Sequence, residues 1–382
     1  MRTSGIRMVM GWILACTAAW GCTSAQAAGQ TLEEVVKTHA ESLMKRHNIA
    51  GMAVAITNGR EQTFYNYGVA SRETGTPVSA DTLFELGSIS KTFTATLATY
   101  AQAHGRLSLN DLPGRYLRPL RGTALDQVTL ADLGTHSAGG FPLQLPDEVR
   151  NDAQLMTYFH DWRPSYAPVT QRSYANPSIG LLGLVAAKSM NVSFAEAMHE
   201  TLLPALGLTH TYLDVPPGQM QMYAQGYDKD DRPVRLNPAV LAEEAYGLKS
   251  SARDMLRYLQ AQMAQVTLPV RLRQAITATH KGYFRVGDMT QALIWEQYGY
   301  PVALDVLVQG NASSMALNTQ PTSPLLPLSD VWINKTGSTN GFGGYVAFVP
   351  SHGLGIVLLA NKNYPNEARV RFAYEIAQAL GK

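Results

Sequence analysis

The chain has 382 residues, of which 46% are hydrophobic and 16% charged, with 31 basic against 29 acidic side chains. This length is enough for a sizeable core and for one large domain or two intimate ones. Because the charges nearly balance and no Lys- or Arg-rich block occurs, the sequence argues against binding to nucleic acid or to an anionic membrane surface. No long heptad pattern occurs either, so we expect a monomer.

The first 27 residues are typical of an export signal. Arg2 and Arg7 form a positive start, and the apolar run that follows is too short for a membrane span. Ala25-Gln26-Ala27 then supplies an A-x-A cleavage site. We therefore expect a signal peptide, a mature chain that begins at Ala28, and a periplasmic protein without a membrane anchor.

Both cysteines, Cys16 and Cys22, lie in this leader. The mature chain then has no disulfide, thiol nucleophile or cysteine metal site. Cys22 fits a lipid attachment site less well, because Ala19-Trp20-Gly21 is a poor acylation context. Loss of Arg2 and Arg7 leaves 29 basic against 29 acidic residues, a formal charge of zero.

The N-terminal part of the mature chain predicts a helix followed by a β-hairpin. Apolar residues at helical spacing indicate a helix over residues 32–46. An apolar, β-branched run at 51–57 indicates a strand, and Asn58-Gly59 indicates a turn. Residues 62–70 continue as an alternating strand, so the sheet is expected to begin near the N-terminus.

The middle of the chain is predominantly helical. Helices are predicted at 88–103, 129–136, 151–161, 179–190, 194–203 and 251–264, with another short helix starting at 107–111. Residues 214–245 form a long polar segment rich in turns, and loops of this kind are often functional.

The last third returns to strands, at 330–335, 344–349 and 355–360, and closes with a helix over 366–380. Strands at both ends with helices between them predict an α+β fold, an α/β/α sandwich. In this fold an antiparallel sheet is built from both chain ends and flanked by the terminal helices, and an all-helical lobe is inserted. We place the sheet lobe at about 28–85 and 180–382, the helical lobe at about 86–179, and the active site between them.

The candidate chemistry begins in the stretch Phe84-Glu85-Leu86-Gly87-Ser88-Ile89-Ser90-Lys91. Gly87 allows a tight turn into a helix, Ser88 lies in its first turn, and Lys91 follows three residues later. Positions i and i+3 share a helix face, so the hydroxyl and the amine can meet. This is the S-x-x-K spacing of serine acyl-transfer enzymes, and a helix N-terminus favours an oxyanion. Alone, the motif also fits a serine cap and an exposed lysine.

A second cluster is Tyr174-Ala175-Asn176. A tyrosine beside two lysines can be held as a phenolate or relay a proton. The Asn176 amide can both donate to and accept from a substrate amide. Alone, the cluster also fits a loop tyrosine followed by a helix cap.

The third cluster is Lys335-Thr336-Gly337-Ser338, at the end of a predicted strand. Lys335 offers a fixed positive charge, and Gly337 lets another backbone approach because it has no Cβ. A strand edge here can pair with a substrate amide. The Ser338 N–H can join that of Ser88 as a two-donor oxyanion hole. Alone, the cluster also fits a strand followed by a Gly-Ser turn.

With all three motifs in order, the sequence resembles the class C β-lactamases, the chromosomal cephalosporinases of Gram-negative bacteria, over essentially the whole mature chain. The resemblance rests on residues 84–91, 139–144, 174–180, 245–250, 335–343 and 360–369, which are more specific than the short motifs. It implies hydrolysis of the β-lactam ring of cephalosporins and penicillins through an acyl-Ser88 ester, with no metal or cofactor.

The resemblance also implies roles for individual residues. Lys91 and Tyr174 would handle the proton of Ser88, Tyr174 would help activate the deacylating water, and Lys335 would support that tyrosine and the substrate carboxylate. Whether Lys91 or Tyr174 is the general base stays open. The implied substrate-binding residues are Gln144 and Asn176 for the amide side chain, Tyr246 on the long-loop side, Thr336, Gly337 and Ser338 on the strand, and Asn366 and Arg369 near the far carboxylate.

Two enzymes of the same superfamily, a D-alanyl-D-alanine carboxypeptidase and a serine esterase, share the three motifs. Deacylation discriminates them, since penicillin traps the peptidase; Gln144 and the Asn366/Arg369 pair favour the lactamase. A class A enzyme needs a deacylating glutamate motif, and a zinc enzyme needs an H-x-H-x-D ligand set; the sequence has neither. A non-catalytic penicillin sensor would not need Lys91, Tyr174 and Lys335 together.

Overall fold

The structure is a computed structural model that describes residues 1–2 and 31–382. Apart from its first two positions, the predicted signal peptide therefore lies outside the described residues, as do Cys16 and Cys22. Within the described part, no single helix is long and apolar enough to span a membrane. Two helices that meet at a bend of 77° pass that test only when they are taken together.

The helices of the described part follow the predicted order, with additions. The helices are α1 (Leu32–His47), α2 (Ser90–Ala103), α3 (Leu130–Gly134), α4 (Asp152–Asp161), α5 (Asn176–Ser189), α6 (Phe194–Glu196), α7 (Leu203–Leu206), α8 (Ala242–Ala245), α9 (Ala252–Gln262), α10 (Val270–Thr279), α11 (Leu304–Gly310), α12 (Ser314–Leu317) and α13 (Asn366–Ala379). A π-helical segment, Ala197–Leu202, joins α6 to α7.

The predicted hairpin near the N-terminus and the three predicted strands near the C-terminus are present, together with ten shorter strands in the described part of the chain. The strands are β1 (Gly51–Asn58), β2 (Glu61–Gly68), β3 (Leu83–Glu85), β4 (Gln171–Arg172), β5 (Thr211–Tyr212), β6 (Gly226–Tyr227), β7 (Pro233–Val234), β8 (Lys249–Ser251), β9 (Phe284–Val286), β10 (Met289–Gln291), β11 (Glu296–Gly299), β12 (Gln320–Pro321), β13 (Val331–Ser338), β14 (Gly343–Val349) and β15 (Leu354–Ala360).

The large sheet joins both chain ends, as predicted. Its eight strands run in the order β2-β1-β15-β14-β13-β11-β10-β9, and every neighbouring pair is antiparallel. The N-terminal hairpin meets the C-terminal strands where Ile56 pairs with Ile356. The sheet therefore forms only when residues that are 300 positions apart in the sequence pair with each other.

Both faces of this sheet are covered, because its central strands are apolar on both sides. On β1, Ala53 and Ala55 belong to one buried cluster, whereas Val54 and Ile56 belong to the other. This alternation follows from the strand period of two. Helices α1 and α13 pack together over the second cluster, and α9 packs on the opposite face. The predicted α+β sandwich is confirmed.

The helical region is organised around α2, which is buried along nearly its whole length and contacts α5 and α10. Its threonine hydroxyls donate to backbone carbonyls, so the helix can be buried without unsatisfied hydroxyls. On it, Phe93 stacks on Tyr258 of α9 with ring centroids 4.0 Å apart. Helix α5 runs through the predicted lobe boundary at 179/180, so we propose that the helical lobe extends to at least Ser189.

One prediction about local structure was wrong, and several elements were not predicted. Residues 107–111 form a turn rather than a helix, because the Asp111 carboxylate accepts from the Ser108 N–H at 2.7 Å. Helices α10 and α11 were not predicted. Strands β9, β10 and β11 were also missed; they are only three or four residues long, and β10 and β11 carry buried polar side chains.

Candidate active site

The candidate nucleophile, Ser88, lies in a short 3-10 turn, Gly87–Ile89, that leads directly into α2. Gly87 has a left-handed φ of 52°, and a Cβ on it would lie 2.5 Å from the Ser338 nitrogen. Only glycine fits there without movement of one of the two segments. The predicted glycine turn thus brings the first motif against the third.

Lys91 reaches Ser88 from within the helix, as the i, i+3 spacing predicts. Its Nζ donates to the Ser88 Oγ at 2.9 Å and to the Ala245 carbonyl at 2.9 Å, and the side chain is fully buried. Burial, with a smaller contribution from the Lys335 charge, lowers the pKa of Lys91 to about 8, against an opposing effect of Tyr174. The amine is therefore able to exchange its proton near neutral pH.

Tyr174 lies between cations. Its ring centroid is 5.1 Å from the Lys91 Nζ, 5.2 Å from the Lys335 Nζ and 5.5 Å from the Arg172 Cζ. Burial raises the pKa of the Tyr174 phenol, but the charges of Lys335 and Lys91, with a hydrogen bond to Ser88, outweigh it and lower the pKa to about 8. A phenol of this kind can serve as an acid and as a base under physiological conditions.

Lys335 lies within β13, so the strand continues past the predicted end. The buried Nζ donates to the Thr336 carbonyl at 3.2 Å and lies 3.8 Å from Glu296 Oε1. Strand β13 pairs with β14 as far as Ser338, but with β11 only as far as Asn334. Within the described residues, the other edge of β13 thus has no strand partner from Lys335 onward. The structure offers the open edge that the third motif predicts.

Two adjoining cavities meet at Ser88, Tyr174 and Ser338. The smaller, about 160 Å³, lies beside Lys335 and is also lined by Thr336, Gly337, Asn311, Met315 and Asn366. The larger, about 480 Å³, is also lined by Gln144, Asn176, Tyr246 and residues 234–237 of the predicted long polar segment. The structure therefore gathers residues from distant segments of the chain into one cleft.

Gln144 and Asn176 meet in the larger cavity. The Asn176 Nδ2 donates to the Gln144 Oε1 at 2.9 Å. The Asn176 Oδ1 is buried, and it has no hydrogen-bond partner among residues 1–2 and 31–382. A buried acceptor without a donor is unfavourable, so a hydrogen bond from a ligand N–H to the Asn176 Oδ1 would be favourable.

Asn366 and Arg369 differ in exposure, although they start the same helix. Asn366 lines the smaller cavity and donates to the Asn311 carbonyl at 3.1 Å. Arg369 is fully buried, and its guanidinium donates to the Gly337 carbonyl at 2.8 Å and the Ser338 hydroxyl at 3.0 Å. Arg369 lines neither of the two cavities, and its expected place near the substrate carboxylate stays a prediction. Through these hydrogen bonds its buried guanidinium supports the end of β13.

Sequence reasoning missed a buried carboxylate just before the nucleophile. The Glu85 Oε1 accepts from the Tyr223 hydroxyl at 2.6 Å and from the Leu236 N–H at 2.7 Å. Leu236 lines the larger cavity. Glu85 thus links the long polar segment, through two hydrogen bonds, to strand β3, which leads to Ser88. Its partners lie more than 130 positions away, so no local pattern marks it.

A second buried pair lies behind Tyr174. Arg172 donates to the Gln291 Oε1 at 2.6 Å, to the Met315 carbonyl at 2.7 Å and to the Glu296 Oε1 at 3.3 Å. The carboxylate of Glu296 is shared with Lys335, so it links two motifs electrostatically. In the part of the chain that the structure describes, no group of three or more His, Cys, Asp or Glu side chains is placed to hold a metal ion.

Comparison with known proteins assigns this chain to a family. The sequence model of the family described as Beta-lactamase matches residues 36–381. The chain belongs to the beta-lactamase family. It is 49% identical to a β-lactamase of Pseudomonas fluorescens, over 91% of this chain and 99% of that protein.

Solved structures agree on the fold and the class. A protein from Pseudomonas syringae called beta-lactamase/D-alanine carboxypeptidase is 57% identical, with a TM-score of 0.88 over 91% of this chain and 98% of that one. A class C β-lactamase from Rhodobacter sphaeroides is 47% identical, with a TM-score of 0.89 over 91% and 99%. The predicted resemblance to class C β-lactamases is confirmed.

Proposed function

We propose that the protein hydrolyses β-lactams, cephalosporins and penicillins among them, through a covalent ester on Ser88. The observation that carries this proposal is the donation from the Lys91 Nζ to the Ser88 Oγ at 2.9 Å, in a cleft shared with Tyr174 and Lys335. A serine hydroxyl is a weak nucleophile and needs such neighbours. Membership of the beta-lactamase family supports the same reaction.

In acylation, the Ser88 Oγ attacks the lactam carbonyl carbon, and the ester bond forms as the ring C–N bond breaks. The hydroxyl proton passes to Lys91 or Tyr174 and then to the departing lactam nitrogen. Both side chains have a pKa of about 8, so either one can take the proton first near neutral pH. The N–H groups of Ser88 and Ser338 are the proposed donors to the carbonyl oxygen as negative charge develops on it.

In deacylation, a water molecule attacks the acyl carbon and gives its proton to the Tyr174 phenolate. The ester bond breaks, and the Ser88 Oγ takes a proton back. The product is the ring-opened acid, and the site returns to its starting protonation state. The ammonium groups of Lys91 and Lys335 stabilise the phenolate, because opposite charges at close range favour the ionised form.

Substrate binding would use both sides of the cleft. The open edge of β13 at Ser338 can pair with the amide that the substrate carries, as an added strand would. Gln144 and Asn176 would bind the same amide side chain from the opposite wall. The carboxylate on the fused ring would lie near Lys335 and Asn366, in the smaller cavity.

D-alanyl-D-alanine carboxypeptidase activity is the second candidate, because the relative from Pseudomonas syringae carries both names. Both activities acylate the serine, and the rate of deacylation of a penicillin distinguishes them. We also propose that the protein acts as a monomer in the periplasm. The basic and apolar leader with its A-x-A site supports export.

The test compares two serines that share the S-x-x-K spacing. Ser88→Ala should reduce turnover of a chromogenic cephalosporin by at least about 10⁴-fold, since it removes the nucleophile. Ser42→Ala is the matched control, because Ser42 precedes Lys45 at the same spacing but is exposed on α1. It should leave turnover unchanged. Undiminished turnover by Ser88→Ala, with circular dichroism like that of the unmodified chain, would contradict the proposal.

A further inference from the structure

A buried histidine packs against the candidate catalytic tyrosine. His136, just after α3, is 2% exposed and has a left-handed φ of 59°. Its ring centroid lies 4.4 Å from that of Tyr174, with the planes inclined by 42°. Non-glycine residues rarely adopt such a φ, so the surroundings of His136 must hold it there.

The chain on both sides of Tyr174 is hydrogen-bonded to His136. The His136 carbonyl accepts from the Ser173 N–H at 2.8 Å, and the His136 Nδ1 accepts from the Ala175 N–H at 3.2 Å. A backbone N–H can only donate, so Nδ1 must be unprotonated and the proton of the neutral ring must be on Nε2. One residue thus contacts the tyrosine ring and the backbone of the residue on each side of it.

The surroundings keep this imidazole neutral. Burial, followed by the positive charges of Arg172, Lys91 and Lys335, holds the pKa of His136 well below its usual value. The Nε2 atom is buried and has no hydrogen-bond partner in the part of the chain that the structure describes. Leaving this donor unpaired is unfavourable, and the Nδ1 bond to Ala175 and the ring contact with Tyr174 are the interactions that the side chain makes in return.

We propose that His136 is a positioning residue for Tyr174, acting through the Nδ1 bond to Ala175 and the ring contact. It holds the phenol oxygen between the ammonium groups of Lys91 and Lys335. A phenol displaced from these charges is a weaker acid and meets the substrate less well, and a displacement of about 1 Å can reduce a rate by about 100-fold. The inference rests on the proposed role of Tyr174 in the hydrolysis.

The test separates the two contacts by two substitutions. His136→Phe keeps an aromatic ring but cannot accept from the Ala175 N–H. His136→Asn tolerates the left-handed φ and places an oxygen where Nδ1 was. We expect kcat for a chromogenic cephalosporin to fall about 10- to 100-fold in His136→Phe, with KM changed less than threefold. His136→Asn should recover at least half of that loss on a logarithmic scale.

A double-mutant cycle with Tyr174→Phe tests whether the effect passes through the phenol. If it does, His136→Phe should lower kcat less than threefold in the Tyr174→Phe background. An equal factor in both backgrounds would show a general structural role and overturn the proposal. So would full activity of His136→Phe in the otherwise unmodified enzyme.

A readout without turnover keeps this inference distinct from the proposed function. In protein labelled with ¹³C at the tyrosine Cζ, the Tyr174 signal is identified by its loss in Tyr174→Phe. Its titration midpoint is expected near pH 8 in the unmodified chain and clearly higher in His136→Phe, because the phenol moves away from the ammonium groups. An unchanged midpoint would overturn the positioning role. Absence of hydrolysis by the unmodified chain would instead contradict the proposed function.

Discussion

Replacing Lys91 by methionine should stabilise the fold near neutral pH, although it should abolish activity. The side chain is fully buried, and burial is the main reason why its pKa falls from the ordinary 10.5 to about 8. A difference of about 2.5 in pKa corresponds to about 3 kcal/mol, at 1.36 kcal/mol for each pH unit. This is the free-energy cost of keeping the ammonium inside the fold.

The direction in which the free energy of unfolding changes with pH follows from the number of protons that each state binds. Below pH 8, Lys91 is protonated in both the folded and the unfolded chain, so the whole cost is present. Between pH 8 and pH 10.5 the unfolded chain binds more protons, and the stability of the unmodified protein rises with pH. From these two pKa values, most of this cost, about 2–3 kcal/mol, disappears between pH 7 and pH 10.

The methionine side chain has a similar length and no charge. It loses the hydrogen bonds to the Ser88 Oγ and the Ala245 carbonyl, and an unpaired buried carbonyl costs about 1–3 kcal/mol. The net gain of Lys91→Met is therefore about 0–2 kcal/mol at pH 7 and becomes a loss by pH 10. The hydrogen-bond contribution is present at both pH values, so the change with pH reports the Lys91 charge and its coupling to the Tyr174 phenol.

Urea denaturation at pH 7, 8, 9 and 10, followed by circular dichroism, measures this difference. Lys37→Met is the matched control, because Lys37 is exposed on α1. Its effect on the free energy of unfolding should be small and should not change with pH. A difference between Lys91→Met and the unmodified chain that stays constant from pH 7 to pH 10 would refute the reasoning.

Two further substitutions test how the cleft is supported. Glu85→Gln keeps the shape but replaces charge-assisted hydrogen bonds to Tyr223 and Leu236 by neutral ones, a loss of about 1–3 kcal/mol. Amide exchange of residues 223–236 should accelerate and KM for cephalosporins should rise; unchanged exchange would count against this support. Gly337→Ala would put a Cβ 2.0 Å from the Leu86 carbonyl, so kcat/KM should fall by about 100-fold. Gly218→Ala, with no atom within 4 Å of the added Cβ, should have no effect, and equal activities of the two variants would disprove the packing argument.

The sequence predicts those parts of the fold whose signal is local. The terminal helices, the Asn58-Gly59 hairpin and the last three strands each have a clear period or turn signal. Strand β10 has none, because Thr290 and Gln291 are both fully buried and Gln291 is satisfied by Arg172, 119 positions away. A hydropathy pattern cannot anticipate a buried polar residue whose partner is so distant.

In the cleft, too, the sequence predicts contacts between residues that are close in the chain but not contacts between distant ones. Motif spacing indicated that Ser88 and Lys91 would meet, because positions i and i+3 share one face of a helix. It could not indicate that the Ala245 carbonyl would accept from Lys91, or that His136 would bond on both sides of Tyr174. For Arg369 the sequence suggested a place near the substrate carboxylate, and it could not indicate that the side chain would be fully buried.

The central claim is that substrate is carried as an ester on Ser88. Mass spectrometry of the intact protein, quenched in acid within milliseconds of mixing with a slowly hydrolysed cephalosporin, tests it most directly. We predict one acyl adduct, located by digestion on the peptide that contains Ser88, which decays at the rate of turnover and is absent from Ser88→Ala. Turnover with no adduct, or an adduct on another residue, would contradict the account.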